Sequence, residues 1–178
     1  GDLVPRVVLS RSSDIHAETE LHRRLTREAA VLRQRARESE PGLLKKVLLG
    51  ASEHATTGGA QAAMRLGAQV RLLADRLRPN TLLITHEGHS WERMAFAAAR
   101  RVRPGIRCMG YQHAGLFRLQ HAVRRSLGNG YDPDEVLTTG AVYKVHMERP
   151  SALKGVSVSV LGSNRGVLDP AQIGRPHV

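Results

Sequence analysis

Residues 81–113 read as strand, helix, strand with short joints, and no other stretch constrains the fold as tightly. Thr81-Leu82-Leu83-Ile84-Thr85 is a short apolar, partly β-branched run introduced by Pro79-Asn80, the pattern of a buried parallel strand. Ser90 is placed to cap a helix whose apolar positions Met94, Ala95, Ala98 and Val102 recur at helical spacing until Pro104-Gly105 ends it. Ile106 to Tyr111 is a second strand, running directly into Gln112-His113. Strand, helix and strand make one βαβ unit, so polar clusters fall at the carboxyl ends of neighbouring parallel strands. Open α/β sheets bind their ligands at those ends. The first end carries His86-Glu87-Gly88-His89-Ser90-Trp91-Glu92-Arg93, with two carboxylates and the only tryptophan of the chain.

The rest of the sequence extends this pattern in both directions. Val4 to Leu9 reads as a strand, and Ser12-Ser13-Asp14 as a helix start. The helix that follows runs to about Glu38, with Leu21, Leu25, Ala29 and Leu32 along one face. Pro41-Gly42 breaks it, Leu43 to Leu49 predicts a shorter helix, and Thr56-Thr57-Gly58-Gly59 is a loop before a helix over 60–77. Beyond the βαβ unit, 121–129 is irregular or briefly helical. Val136-Leu137-Thr138-Thr139 predicts a third strand, Ala141 to Glu148 its helix, and Val156 to Leu161 a fourth strand. The expected fold is therefore α/β: a Rossmann-like parallel sheet flanked by helices over 61–166, preceded by a mainly helical segment over 1–60. Residues 167–178 would begin a linker or a second domain.

Composition narrows the setting. Aromatics are only 3%, so the core must be built from Leu, Val, Ile and Ala. The single cysteine, Cys108, lies within the second strand, cannot form an internal disulfide, and reads as a small buried hydrophobe. No segment is apolar for the roughly 18 to 20 residues of a membrane span, and the first residues lack a signal-peptide pattern. A reducing cytoplasm is expected, with peripheral contact to the inner membrane face as an option. The formal charge of +11 is concentrated centrally: residues 81–130 hold 8 basic and 2 acidic groups, an excess of +6. Such a surface attracts phosphorylated small molecules, anionic lipid headgroups or nucleic acid, and charge alone does not choose among them. Metal binding is not expected, because His86 and His89 are three apart across a strand-to-helix turn rather than four apart on one helix. The sequence contains no Walker phosphate loop, no dinucleotide fingerprint and no nucleophile elbow.

Four motifs in order, E-G-x-S-W-E-R (Glu87 to Arg93), G-Y-Q-H (Gly110 to His113), L-T-T-G (Leu137 to Gly140) and L-G-S-N-R (Leu161 to Arg165), resemble bacterial surface-polysaccharide biosynthesis proteins of the glycosyltransferase class. That class includes relatives of retaining β-Kdo transferases that use a CMP-sugar. The resemblance covers roughly residues 70 to 166. It implies one Rossmann-like half of a GT-B architecture, a nucleotide-sugar donor, with a CMP-linked sugar as one option, and no separate cofactor. It also implies a glycan or lipid-linked acceptor. Two such halves need about 300 residues, so a chain of this length is expected to be a fragment lacking most of the donor-binding half. Gly88 departs from the family pattern, in which Asn often follows the glutamate.

What the resemblance implies can be set against what each residue otherwise does. Glycosyl transfer needs a group to take the acceptor proton and groups that stabilise the leaving phosphate. Glu87 and His113 are the candidate catalytic residues, Glu87 as acid/base or acceptor-orienting group, His113 as phosphate contact or proton shuttle. Glu87 is equally placed to cap the next helix, and His113 to fix its loop. Gly88, Ser90, Trp91, Glu92, Gln112, Thr139, Gly140, Ser163 and Arg165 are the candidate substrate-binding residues. For Glu92 a structural role within the helix competes, for Trp91 an anchoring role, for Thr139 and Gly140 a plain helix cap, and for Ser163 and Arg165 an ordinary hinge loop. Gln112 and His113 are both expected to emerge at the rim beside Glu87. The alternative to an enzyme is a basic binding module for nucleic acid or anionic lipid without catalytic activity. The scarcity of aromatics and the lack of RNA-recognition or zinc-finger signatures speak against sequence-specific reading of nucleic acid.

Overall fold

The structure is a computed structural model that describes residues 9, 14–116, 122–128, 130–148, 153 and 155–163. The strand expected over Val4 to Leu9 lies outside these residues except for Leu9. Three helices come first: α1 (Ile15–Glu38), α2 (Leu43–Ala55) and α3 (Gly58–Leu77). Asp14 starts α1 by accepting the Ala17 N–H at 2.9 Å, which satisfies one of the orphan donors of the first turn. Helix α3 ends on Arg78, held in the left-handed region at φ 48°, and Pro79 then prevents it from continuing.

Four strands follow with their connections: β1 (Thr81–Thr85), α4 (Ser90–Val102), β2 (Arg107–Gln112), a single 3₁₀ turn at Ala122–Arg124, β3 (Glu135–Thr138), α5 (Ala141–Glu148) and β4 (Ser157–Val160). The sheet order is β1-β2-β3-β4 and every pairing is parallel. This is the expected Rossmann-like parallel sheet with flanking helices and a helical N-terminal segment. Pairing Thr85 with Tyr111, and Gln112 with Thr138, brings the carboxyl ends of the strands to one rim.

Side chains alternate across a strand, and this sorts the sheet into two unlike faces. Leu82, Ile84 and Cys108 pack under Phe96 and Ala99 of α4, with Val70 and Ala74 of α3 behind them. Val136 and Val158 continue that face under Met147 of α5 and Val123 of the 3₁₀ turn. The opposite face is open around β1, where Leu83 is 52% exposed and Thr81 and Thr85 are also exposed. The expectation that β1 is a buried strand is therefore corrected. Among the described residues it is an edge strand with one covered face, and the apolar run from Leu82 to Ile84 reflects neighbours on that face.

Candidate active site

The same alternation decides which rim residues face outward. Glu87 is in phase with Leu83 and Thr85, and His113 is in phase with Met109 and Tyr111, so both belong to the open face. There Glu87 Oε1 lies 3.3 Å from His113 Nδ1, and Glu87 Oε2 lies 3.7 Å from His89 Nε2. The Tyr111 ring stacks on His113 with centroids 6.0 Å apart, and its hydroxyl donates to the Gly162 carbonyl at 3.0 Å. Tyr111 thus ties the end of β2 to the loop after β4. The two residues expected to be catalytic are neighbours, on adjacent strand ends, and both are accessible.

His86 and Gln112 alternate the other way and are buried, at 0% and 1% exposure. The expectation that Gln112 emerges beside Glu87 is corrected on this point: it is in phase with Cys108 and Gly110, which turns it under the rim, where its amide donates to the Ala114 carbonyl. His86 Nε2 lies 3.2 Å from the Val123 carbonyl, which makes Nε2 the protonated nitrogen of a neutral ring. Burial, and then the charge of Arg93, hold its pKa down at about 4. At 3.8 Å the approach of Glu92 to its Nδ1 is consequently not an ion pair. Gly110 exists for this ring, since a Cβ there would sit 2.7 Å from the His86 Cβ.

Beneath the exposed pair lies a buried polar scaffold. The Glu92 carboxylate, fully buried, accepts the backbone N–H groups of Glu87, Gly88 and His89 at 2.9 to 3.0 Å. It closes the start of α4 from inside the helix, so His89 rather than Ser90 is the cap position. Burial lifts the Glu92 carboxyl above the ordinary range, with the three N–H groups pulling against that. Both of its oxygens serve the loop, so Glu92 shapes the site without facing its solvent side. Gly88 is the second fixed point: its φ is 89°, and a Cβ would lie 2.4 Å from the Val123 nitrogen. Only glycine satisfies both conditions. The third is Arg93, 4% exposed, which donates to Asp132 Oδ1 at 2.7 Å and to the Arg125 carbonyl at 2.9 Å. Asp132 in turn accepts from the Ser126 hydroxyl and the Leu127 and Gly128 N–H groups. Burial opposes its charge, yet these donors and Arg93 together hold its carboxyl below the usual range.

The remaining sequence candidates separate into groups. Gly88 and Ser90 line a cavity of about 310 Å³ with Arg93, Ala122, Arg125 and Tyr131, beside the scaffold rather than beside His113. Trp91 is half-buried in the first turn of α4. Thr139, Gly140 and Ser163 lie on the same rim beyond β3 and β4, the latter strand about 14 Å across the sheet from β1 at normal strand spacing. Arg165 lies outside the described residues. Among the described residues no group of three or more His, Cys, Asp or Glu is placed to hold a metal ion, and no helix is long and apolar enough to cross a membrane. Sequence reading passed over His86, Tyr111 and Asp132 as site residues. A signal for His86 was present: it continues the 82, 84, 86 alternation onto the helix-covered face. No family model, curated protein or solved structure matches the chain.

Proposed function

We propose that the chain is one Rossmann-like half of a GT-B-type glycosyltransferase that moves a sugar from a nucleotide donor, such as a CMP-sugar, to a bacterial surface polysaccharide or lipid-linked acceptor at the cytoplasmic membrane face. The observation that carries this reading is the Glu87–His113 pair, 3.3 Å apart on adjacent parallel strand ends and open to solvent. Glu87 beside Nδ1 favours the tautomer protonated there and leaves the Nε2 lone pair directed away from the carboxylate. In this reading Nε2 takes the acceptor hydroxyl proton as the acceptor oxygen bonds to the anomeric carbon. The bond from that carbon to the donor phosphate breaks, and the nucleotide leaves with its electron pair. Thr139, Gly140 and Ser163, further along the rim, provide hydroxyl and backbone donors for phosphate or sugar oxygens.

A thermal-shift screen with CMP, UDP, GDP and their sugars, coupled to glycan production in cells carrying the variants, tests this. A donor that binds only the folded form raises the midpoint. His113→Ala is expected to lower transfer on the order of a hundredfold or more, the usual contribution of a positioned acid or base, and Glu87→Gln by a smaller factor because it orients rather than reacts. Unchanged glycan in both variants, with no nucleotide stabilising the protein, refutes the reading.

A further inference from the structure

Helices α1, α3 and α4 line a groove of about 340 Å³ that adjoins the Gly88–Ser90 cavity through Met94 and Tyr131, and its charged residues are three arginines with no carboxylate among its lining. Arg24 of α1, Arg71 of α3 and Arg101 of α4, all exposed, line it together with Tyr131. Six arginines among the described residues make ion pairs: Arg65 with Glu18, Arg93 with Asp132, Arg100 with Asp134, Arg107 with Glu135, and Arg23 and Arg27 with Glu20. Arg24, Arg71 and Arg101 differ. Among the described residues none of the three guanidinium groups makes an ion pair or hydrogen bond, and neither does the Tyr131 hydroxyl. The small residues Gly67, Ala68, Ala97 and Ala98 also line it and leave the space open between the larger side chains.

Three like charges lining one concavity repel one another, and the concavity concentrates their field. We propose that this groove binds a phosphate-bearing ligand, its phosphate oxygens held by Arg24, Arg71 and Arg101. Guanidinium is the group suited to this: planar, always charged and able to donate two parallel hydrogen bonds to one phosphate. The volume leaves room for one or two phosphates and an organic group beside them, within the ordinary range of small-molecule sites. The site does not depend on the transferase reading, because it shares no residue with the Glu87–His113 pair.

Calorimetric titration of the full chain with pyrophosphate, at low ionic strength so that exposed charges are not screened, tests the proposal. In parallel the protein is floated with phosphatidylcholine vesicles with and without phosphatidylglycerol. Saturable one-to-one binding of pyrophosphate is expected, weakened about tenfold by R71A or R101A and further by the double variant. Lysine at either position should restore it only in part, since it keeps the charge but not the fork. R37A is the control, because it removes the same charge about 20 Å further along α1 from Arg24 and should change affinity by less than about twofold. Binding to the anionic vesicles alone, lost in R71A/R101A and kept in R37A, assigns the phosphate to a lipid headgroup. Equal weakening by R37A and R71A, or no saturable binding to either probe, overturns the proposal.

Discussion

Acidification titrates His86 against its own burial. The ring is 0% exposed, donates from Nε2 to the Val123 carbonyl, and is held at a pKa of about 4 by burial and the Arg93 charge. In the unfolded chain a histidine titrates near 6.5. The unfolded state therefore takes up a proton as pH falls through 6.5 while the folded state does not until about 4, and stability is lost across that window. Linkage gives roughly 2 kcal/mol lost by pH 5 and about 3 kcal/mol by pH 4. Urea unfolding at several pH values between 7.5 and 4 measures this in the native chain and in His86→Gln, which keeps a donor for the Val123 carbonyl but does not titrate. The variant should be less stable at neutral pH and lack this part of the acid slope. Identical slopes in the two proteins would refute the assignment of the buried neutral ring.

Two further predictions address the scaffold. Gly88→Ala forces a side chain into φ 89° and onto the Val123 nitrogen at 2.4 Å, so denaturant unfolding should show a loss of about 3 kcal/mol or more; a loss under about 1 kcal/mol would mean that the loop is not packed as described. Asp132→Asn leaves the Arg93 cation, 4% exposed, without its counter-charge, and should cost about 3 to 5 kcal/mol. Removing both charges with Arg93→Met/Asp132→Asn should cost less than the sum of the single changes. Because the Asp132 carboxyl is held below its ordinary range, the stability it contributes is full at neutral pH and is lost only as pH falls through that lowered value, below the His86 window.

Local pattern carried most of the architecture. The apolar run 81–85, the 3.6-residue repeat after Ser90 and the stop at Pro104-Gly105 place β1 and α4 within a residue or two of where they lie, and the same holds for β3, α5 and β4. Two kinds of information were not in those patterns. The open face of β1 depends on what packs over it, which no stretch of five residues encodes. The Arg93–Asp132 pair joins residues 39 apart, and nothing near either marks the other as partner. Alternation, in contrast, was readable and separates His113 from Gln112; the β2 phase that turns Cys108 and Gly110 inward gives the burial of Gln112. The Glu87–His113 approach followed from topology, since Thr85 pairs with Tyr111 and two residues further along each chain stand Glu87 and His113.

The site puts an exposed pair on a buried polar base, and the energetics of that base bear on function. Glu92, Arg93, His86 and Gln112 are all within 4% of full burial, where apolar residues of similar size would stabilise a simple hairpin of loops equally well or better. Their hydrogen bonds instead fix backbone: Glu92 sets the 87–89 loop, Arg93 and Asp132 set 122–128, and Gly88 seats one loop on the other. Each of these directly or indirectly positions Glu87. A rim organised in this way holds its outward groups to a narrow geometry, which a reacting pair needs and a diffuse basic patch does not. Hydrogen exchange distinguishes the cases: amides of Glu87, Gly88 and His89 should exchange as slowly as the core of α4, and in Glu92→Gln they should exchange faster with α4 itself little changed. Fast exchange at these three amides in the native chain would remove the structural argument for a preorganised pair.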